Sequence, residues 1–349
     1  MRYSHVCLES WGYVLPEEIL TSKTIEEELA PVCKKLKLPT GFLEIFTGIG
    51  ERRVWKEKTL ASEKSIESAK KALSKEKLKP QDLDCLIHVS VSRDCLEPST
   101  ASIVHAGLGL PTHALNFDLS NACLGFINGL FVLGNMIELG HIKRGILVGT
   151  EISYPMIRKT IDTLLKNPDL SMAEGTQYLP SLTLGSGSAA IILAHDSVAH
   201  NKHKLLGGLG QAATQFNNLC RAVPDTGLLH PADDLTMTTE AQKLMHEGIQ
   251  LAKRSWPDFQ KLIGWKKEEI QHFFGHQVGR MPREEVIKAL GLTDDKDYST
   301  FPFLGNMGSV SLPITFQMGI EKRNIQSGDK IALMGFGSGI NCLFAGVTW

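Results

Sequence analysis

Cys123 is the residue of this sequence whose type and position most favour covalent chemistry. It follows a strand-like segment, Ala114–Leu119, and a polar pair, Ser120-Asn121, that could cap a helix. The helical segment after it, Leu124–Leu139, is apolar on every side and is expected to lie in the core. A thiol in the first turn of such a helix faces the positive end of the helix dipole, which lowers its pKa. Because buried cysteines usually act only as small hydrophobes, nucleophile and core residue remain equally good interpretations.

Two more polar residues stand at turns of the second half of the chain. His276 follows a strand-like run in FFGHQVGR, and Asn306 lies between glycines in LGNMGSVSLP. Taken singly, each is more typical of structure, a hydrogen-bonded histidine and a turn-forming asparagine. Sites of α/β sheets gather at the carboxyl ends of strands, where two halves meet. The combination with Cys123 therefore predicts a site built from a thiol, an imidazole and an amide.

Two loops complete the candidate chemistry. The glycines of GFGSG (335–339) have GxGxG spacing and run into a strand-like segment, Ile340–Val347, which excludes a dinucleotide-binding loop. Such glycines let the backbone pass close to another group and present an N–H to it. Glu97, next to Pro98 in a loop after a strand, is by itself typical of a solvated carboxylate.

The elements that must position these residues alternate between strands and helices along 349 residues, a length typical of about two domains. The predicted strands are Leu83–Val91, Gly145–Gly149, Leu182–Leu193 and Lys330–Met334. The predicted helices are Ala61–Leu78, Leu124–Leu139, Thr238–Leu262 and Arg283–Leu290. This alternation predicts an α/β protein with largely parallel central strands.

An internal repeat divides the chain. QDLDCLIHVS (81–90) resembles EEIQHFFGHQ (268–277), and HIKRGILVGT (141–150) resembles SGDKIALMGF (327–336). The two offsets are nearly equal, which chance matches would not favour. The repeat predicts two duplicated α/β halves, residues 1–196 with the cysteine and residues 197–349 with the histidine and asparagine. It also places Ser309 about where the partner of Cys123 would lie, so the cysteine, histidine and asparagine are expected to converge on one pseudo-twofold axis.

Composition excludes several classes of function. The chain has 37 Lys+Arg against 38 Asp+Glu, so it lacks the basic excess that binds nucleic acid or anionic lipid. Its seven cysteines include no CxxC pair, which argues against a zinc site and a disulfide framework, and we expect no metal. No secretory signal is recognised, and the apolar Leu124–Leu139 stretch is too short to span a bilayer. These features predict a cytoplasmic protein with free thiols and no transmembrane segment.

Several motifs, in order, resemble one family. NACLGF at Cys123, GHQ at His276, GNMGSVSLP at Asn306 and the GFGSG turn resemble thiolase-superfamily condensing enzymes of the 3-oxoacyl-ACP synthase III group. VSRDCLEPSTASIV (91–104), LCR (219–221) and GSGINC (337–342) look most like its OleA branch. That branch condenses two fatty acyl-CoAs head to head, without loss of CO2, in long-chain olefin biosynthesis. The resemblance implies a thiolase-like five-layer αβαβα fold with two duplicated halves, and a homodimer.

The resemblance also implies residue roles. Cys123 would be the nucleophile, with His276 and Asn306 completing the triad. The backbone N–H groups of Cys123 and Gly339 would form an oxyanion hole. Glu97 would be the base that deprotonates the second acyl chain, reaching into the partner's site across the dimer. Coenzyme A thioesters would be substrates, and no cofactor is implied.

Three positions, in two motifs, depart from the synthase III pattern. Where that group has an arginine that contacts carrier protein or CoA, this chain has Met281, and Arg280 stands one place earlier. The tryptophan and arginine that grip the CoA adenine correspond by position to Phe42 and Phe46. Arg280 and Phe42 are therefore the candidate substrate-binding residues.

The function has three alternatives. A decarboxylating 3-oxoacyl-ACP synthase III would use malonyl-ACP, and an acyl-CoA thioesterase would use Cys123 and His276 for hydrolysis. A non-catalytic assembly partner would have no need of the intact set. Glu97 discriminates between head-to-head condensation of two acyl-CoAs and decarboxylating condensation with malonyl-ACP. A carboxylate at this position would repel the malonyl carboxylate in a low-dielectric pocket.

Overall fold

The computed structural model describes residues 1–55, 58–167, 169–222 and 237–349. The strands in these ranges are β1 Val6–Val14, β2 Glu18–Thr21, β3 Glu51–Val54, β4 Cys85–Val89, β5 Leu115–Leu119, β6 Arg144–Glu151, β7 Gly187–His195, β8 His203–Ala212, β9 Cys220–Ala222, β10 Met237–Thr239, β11 His272–Gly275, β12 Lys330–Gly337 and β13 Asn341–Thr348. The α-helices are α1 Ser22–Glu28, α2 Ala30–Lys35, α3 Phe42–Thr47, α4 Ala61–Lys75, α5 Thr100–Leu108, α6 Gly125–Glu138, α7 Tyr154–Lys166, α8 Met172–Leu182, α9 Ala241–Ile263, α10 Arg280–Leu290, α11 Phe301–Leu304 and α12 Ser311–Lys322.

Nine strands form one continuous sheet in the order β11-β12-β13-β8-β1-β7-β6-β4-β5. The strands from residues 1–196 lie on one side and those from residues 197–349 on the other. The two sets meet at β1 and β8, through the pairs Cys7–Lys204 and Leu8–His203. The structure is consistent with the two halves predicted from the repeat, whose common origin stays a prediction.

Helices cover both sets of strands and also separate them. Helix α4 packs on β1, β6 and β7, and α9 packs on β8 and β13. Between the two sets lie α6, which contacts β4, β6, β7, β8 and β13, and α12, which contacts β1, β7, β11 and β12. The order of layers is therefore αβαβα. Because α6 touches both sets of strands, its sequence is apolar nearly all round, with Phe126, Leu130 and Leu133 buried.

The prediction of largely parallel strands is wrong. Only β4–β5, β4–β6 and β11–β12 pair in parallel, whereas the central pairs are antiparallel. Strands covered on both faces read as continuous apolar runs in either direction, so the sequence pattern does not distinguish them.

One element boundary is also wrong. The predicted strand Leu182–Leu193 begins five residues early, since Leu182 ends helix α8 and the strand β7 starts at Gly187. An apolar helix end followed by small residues merges with the strand into one run. The long helices are placed within a few residues of the prediction, and none of the helices in the described ranges is long and apolar enough to cross a membrane.

Candidate active site

Cys123 lies in a tight turn directly before helix α6. Ala122 has φ +45°, in the left-handed region that residues with a Cβ seldom adopt, and the N–H of Gly125 donates to its carbonyl. A Cβ placed on Gly337, at the end of β12, would lie 3.3 Å from the Cys123 Cβ and 3.5 Å from its backbone nitrogen. The glycine therefore lets the 335–339 backbone approach the cysteine, as the GFGSG spacing predicted.

The electrostatics of the thiol differ from the expectation of a lowered pKa. Burial, together with the nearby charges of Glu151 and Cys220, raises the pKa of Cys123 to about 12. Desolvation of the thiolate thus outweighs the position at a helix start. The thiol is protonated at neutral pH, so thiolate formation requires a proton acceptor when substrate arrives.

His276 can supply that acceptor. It follows β11, and its backbone N–H donates to the Met334 carbonyl of β12 at 2.8 Å. Its Nδ1 is buried and has no protein hydrogen-bond partner. Burial lowers the pKa of the imidazole to about 4, so the ring is neutral at physiological pH. A neutral imidazole and a protonated thiol are the forms of the two groups from which general-base catalysis begins.

This state predicts an unusual pH profile. Because the pKa of His276 is about 4, rather than the ordinary value of about 6.5, the proton acceptor should persist at mildly acidic pH. We expect the rate of Cys123 acylation by an acyl-CoA to show no histidine inflection between about pH 5 and pH 8. Intact-mass spectrometry of quenched samples would measure it, with circular dichroism confirming the fold at each pH. A midpoint near pH 6.5 that disappears in His276→Ala would contradict the buried, neutral histidine.

Asn306 is fixed by both its backbone and its side chain. Its N–H donates to the Thr183 carbonyl, and its carbonyl accepts from the N–H of Gly185, each at 2.9 Å. Its Oδ1 accepts from the N–H of Gly308 at 3.0 Å. With the amide oxygen engaged, the amide nitrogen is the atom oriented to donate to another group.

The turns that carry Cys123 and Asn306 lie against each other. A Cβ placed on Gly125, at the start of α6, would be 3.8 Å from the Cβ of Ser309, just before α12. Glu151 touches the 308–309 turn and is close enough to Cys123 to raise its pKa. The starts of the two central helices thus meet at one place, as the repeat predicted. His276 directly follows β11, and β11 pairs with β12, whose last residue, Gly337, packs on Cys123.

The oxyanion-hole prediction concerns the next turn. Gly339 has φ +131°, and a Cβ there would lie 2.4 Å from the Asn341 Nδ2, so this position requires glycine. It stands two residues beyond Gly337, the glycine in contact with Cys123. A joint role of the Cys123 and Gly339 N–H groups stays a prediction.

Glu97 occupies an exposed loop between β4 and α5. The side chain of Glu97 is exposed in the single chain, and the neighbouring Leu96 is 67% exposed. The loop is held at its far end by Asp118 of β5, whose carboxylate accepts from the N–H groups of Thr100 and Ala101. The loop that carries Glu97 is thus anchored at Thr100 and Ala101 and exposed at its tip.

The two candidate substrate-binding residues lie near each other but differ in exposure. Phe42, in α3, is 2% exposed and packs in a hydrophobic cluster. Arg280 is exposed at the start of α10, and its Nε would lie 3.0 Å from a Cβ on Gly48, directly after α3. The arginine is therefore accessible to a ligand, whereas the phenylalanine ring is covered by protein. Both roles stay predictions.

A separate surface cluster contains His5, His195 and Asp196, whose potential ligand atoms lie within 4.8 Å of one another. Lys204 donates to the Asp196 carboxylate at 2.7 Å, and the N–H of Ser197 donates to the His195 Nδ1 at 3.1 Å. These contacts engage the groups that a metal would need, so we assign the cluster no metal.

Comparison with known proteins decides the family. A sequence profile of the C-terminal region of 3-oxoacyl-[acyl-carrier-protein] synthase III matches residues 261–349. Over 353 aligned residues the chain is 36% identical to the acyl-CoA:acyl-CoA alkyltransferase of Shewanella oneidensis, and 100% of both chains is covered. The chain belongs to the acyl-CoA:acyl-CoA alkyltransferase family.

The structure agrees with this family of condensing enzymes. Cerulenin-bound OleA of Xanthomonas campestris superposes with a TM-score of 0.93 at 36% identity, covering 100% of this chain and 98% of that one. The β-ketoacyl-[acyl-carrier-protein] synthase III of Natranaerobius thermophilus is 27% identical, with 97% of each chain covered. The resemblance to the OleA branch and the thiolase-like α/β fold are both confirmed.

One residue of this alkyltransferase-family site escaped sequence analysis. Glu151 ends strand β6 and is 6% exposed, although acidic residues are seldom buried. The motif RGILVGTE (144–151) contains it, and an acid directly after a continuous apolar strand is the signal that could have identified it.

Proposed function

We propose that this enzyme condenses two fatty acyl-CoAs into a 2-alkyl-3-oxoacyl product, through an acyl group carried on Cys123. Full-length similarity to alkyltransferases that share the fold carries the proposal. Solved forms of the Xanthomonas campestris enzyme include replacements of one cysteine, one histidine and one glutamate. These are the residue types proposed to act here at positions 123, 276 and 97.

The first half-reaction acylates the cysteine. The neutral His276 accepts the proton of the Cys123 thiol as sulfur attacks the thioester carbon. The oxyanion is stabilised by the N–H groups of Cys123 and Gly339. The C–S bond to coenzyme A then breaks, and the departing thiolate takes the proton from the imidazolium. One thioester is exchanged for another, and no group is oxidised or reduced.

The second half-reaction forms the carbon–carbon bond. Glu97 accepts a proton from the α-carbon of the second acyl-CoA, while His276 and Asn306 donate hydrogen bonds to its thioester oxygen. The carbanion attacks the carbonyl of the acyl-cysteine, and the C–S bond to Cys123 breaks. The proton taken by Glu97 balances the thiolate released, so the free thiol is restored and no CO2 is formed.

We further propose that the enzyme is a homodimer in which Glu97 serves the partner's site. Strand β5 is an edge of the nine-stranded sheet, and edge strands present unpaired N–H and C=O groups. Two large apolar side chains are exposed at this edge, Leu115 of β5 itself at 53% and Leu96 of the adjoining loop at 67%. A second copy seated on β5 would cover them. The seven free cysteines favour a reducing compartment such as the cytoplasm, and a role in olefin biosynthesis is proposed from the family likeness.

Product analysis tests the proposed reaction. Incubation with one long-chain acyl-CoA and no malonyl donor should give free coenzyme A and a 2-alkyl-3-oxoacyl product, or the ketone left after its breakdown, by mass spectrometry. The 27% identity to 3-oxoacyl synthase III enzymes makes decarboxylative condensation the second candidate. Condensed product formed only with malonyl-ACP, and with CO2 release, would support that candidate. Free fatty acid as the sole product would support a thioesterase.

A further inference from the structure

We propose that Glu151 is a positioning residue that joins the loop carrying Glu97 to the turn carrying Asn306, so that both keep their places during carbon–carbon bond formation. This inference rests on the proposed condensation. Glu151 itself touches neither the thiol nor the loop tip in the described contacts, and acts through its neighbours.

One set of contacts holds the start of the Glu97 loop. The Oε1 of Glu151 accepts from the N–H of Val91 at 2.9 Å. Its Oε2 accepts from the N–H of Ser92 at 3.1 Å and from the Ser92 hydroxyl at 3.0 Å. These residues lie directly after β4, where the chain leaves the sheet for Glu97. Hydrogen bonds to a charged acceptor are stronger than neutral ones, so the carboxylate fixes the point from which the loop projects.

A second set of contacts holds the Asn306 turn. The same Oε1 accepts from the hydroxyl of Ser309 at 2.6 Å and from its N–H at 3.3 Å. Gly308 has φ +54°, and a Cβ there would lie 3.2 Å from the carboxylate, so the turn is packed directly on Glu151. Because Gly308 in turn donates to the Asn306 Oδ1, a shift of the carboxylate would reach the catalytic amide through a single residue.

The chemistry of the position favours a carboxylate. Five donors converge on its two oxygens, and a carboxylate accepts without donating. In Glu151→Gln the amide NH2 would face an N–H or hydroxyl donor at one of these positions. The side chain volume is nearly unchanged, so the variant removes the double link while leaving the packing of the turn intact.

Glu151 also has an electrostatic effect on the nucleophile. After burial, its charge is the next cause that raises the pKa of Cys123. Glu151→Gln should therefore lower the pH midpoint for alkylation of Cys123 by iodoacetamide. A residue that only supported the fold would leave this midpoint unchanged.

The test compares Glu151→Gln with a matched control. Asp84→Asn alters another carboxylate that accepts two consecutive backbone N–H groups, those of Lys143 and Arg144, at 2.7 and 3.0 Å. Asp84 precedes β4, at the end of the strand away from Cys123. For both variants we would measure the rates of Cys123 acylation and of condensation. We would also measure the pH dependence of Cys123 alkylation, from the peptide that contains it, and the backbone hydrogen exchange of Val91 and Ser92.

We expect Glu151→Gln to acylate Cys123 within a few-fold of the wild-type rate. Its condensation should be about 100-fold slower, because a small displacement of reacting groups slows a reaction by about this factor. The exchange of Val91 and Ser92 should rise, and Asp84→Asn should match the wild type. Ser92→Ala and Ser309→Ala cut one link each, and they keep the test decisive if Glu151→Gln fails to fold. Their effects on condensation should not add in the double variant, because both act through one carboxylate.

Several results would overturn the inference. Wild-type condensation by Glu151→Gln would do so, as would equal losses of acylation and condensation with an unchanged alkylation midpoint. Additive effects of Ser92→Ala and Ser309→Ala would also contradict it. If the wild type itself fails to condense acyl-CoA, the proposed function is wrong, whereas hydrogen exchange and alkylation still report whether Glu151 joins the two segments.

Discussion

Cys123→Ala is expected to abolish acyl-enzyme formation and to lower condensation by at least about 10⁴-fold, as the loss of a nucleophile does in other covalent enzymes. The reason is that Cys123 is the thiol in contact with the glycine turn at Gly337, so its removal takes away the proposed nucleophile. Intact-mass spectrometry after incubation with an acyl-CoA would measure the acyl adduct, and product analysis would measure condensation.

Cys85→Ala is the matched control for this prediction. Cys85 is a free, buried cysteine at the start of β4, at the opposite end of that strand from the site. It should keep both activities, with only the modest loss of stability that removal of a buried atom causes. An acyl adduct of wild-type yield on Cys123→Ala would assign the covalent chemistry to another residue.

Glu97→Ala is expected to separate the two half-reactions. Acylation of Cys123 should stay close to the wild-type rate, because the proposed proton acceptor for the thiol is His276 and not Glu97. Condensation should fall by about 10² to 10⁴-fold, the usual contribution of a positioned general base. The acyl-enzyme should therefore accumulate, which mass spectrometry would detect directly. Unimpaired condensation would remove the reason for assigning deprotonation of the second chain to this carboxylate.

Mixing two inactive variants tests whether Glu97 acts across the dimer. A dimer of Cys123→Ala with Glu97→Ala would contain one complete site only if Glu97 acts in the partner. Random reassociation would then restore about one quarter of the wild-type activity, since half of the dimers are mixed and each has one active site of two. No recovery after verified subunit exchange would place Glu97 in the site of its own chain.

Much of the fold and part of the site follow from local sequence signals. The helix after Cys123 and the glycine turn at 335–339 are local features, which periodicity and spacing describe directly. The approach of the Cys123 and Asn306 turns followed from the repeat, because duplicated halves place equivalent turns about a common axis. The roles given to His276, Asn306 and Glu97 came from the family likeness and stay predictions.

What could not be predicted depends on neighbours far apart in the chain. The raised pKa of Cys123 results from burial by segments such as β12, and a helix start alone suggests the opposite direction. The five donors on Glu151 come from two segments far apart in the chain, residues 91–92 and residue 309, so no local pattern predicts them. Phe42 is a further example. It corresponds by position to a CoA-binding residue of the synthase III group, but the sequence does not show that its ring is covered by protein.

The contact between Cys123 and Gly337 has a consequence for biosynthesis. More than 200 residues separate them, so at ribosomal rates the cysteine is made about 10 to 40 seconds before the glycine. Throughout that interval a nascent chain lacks the backbone that completes the surroundings of its thiol. An unfinished polypeptide therefore lacks the surroundings in which Cys123 is proposed to react, and these are complete only in chains translated through the GFGSG turn.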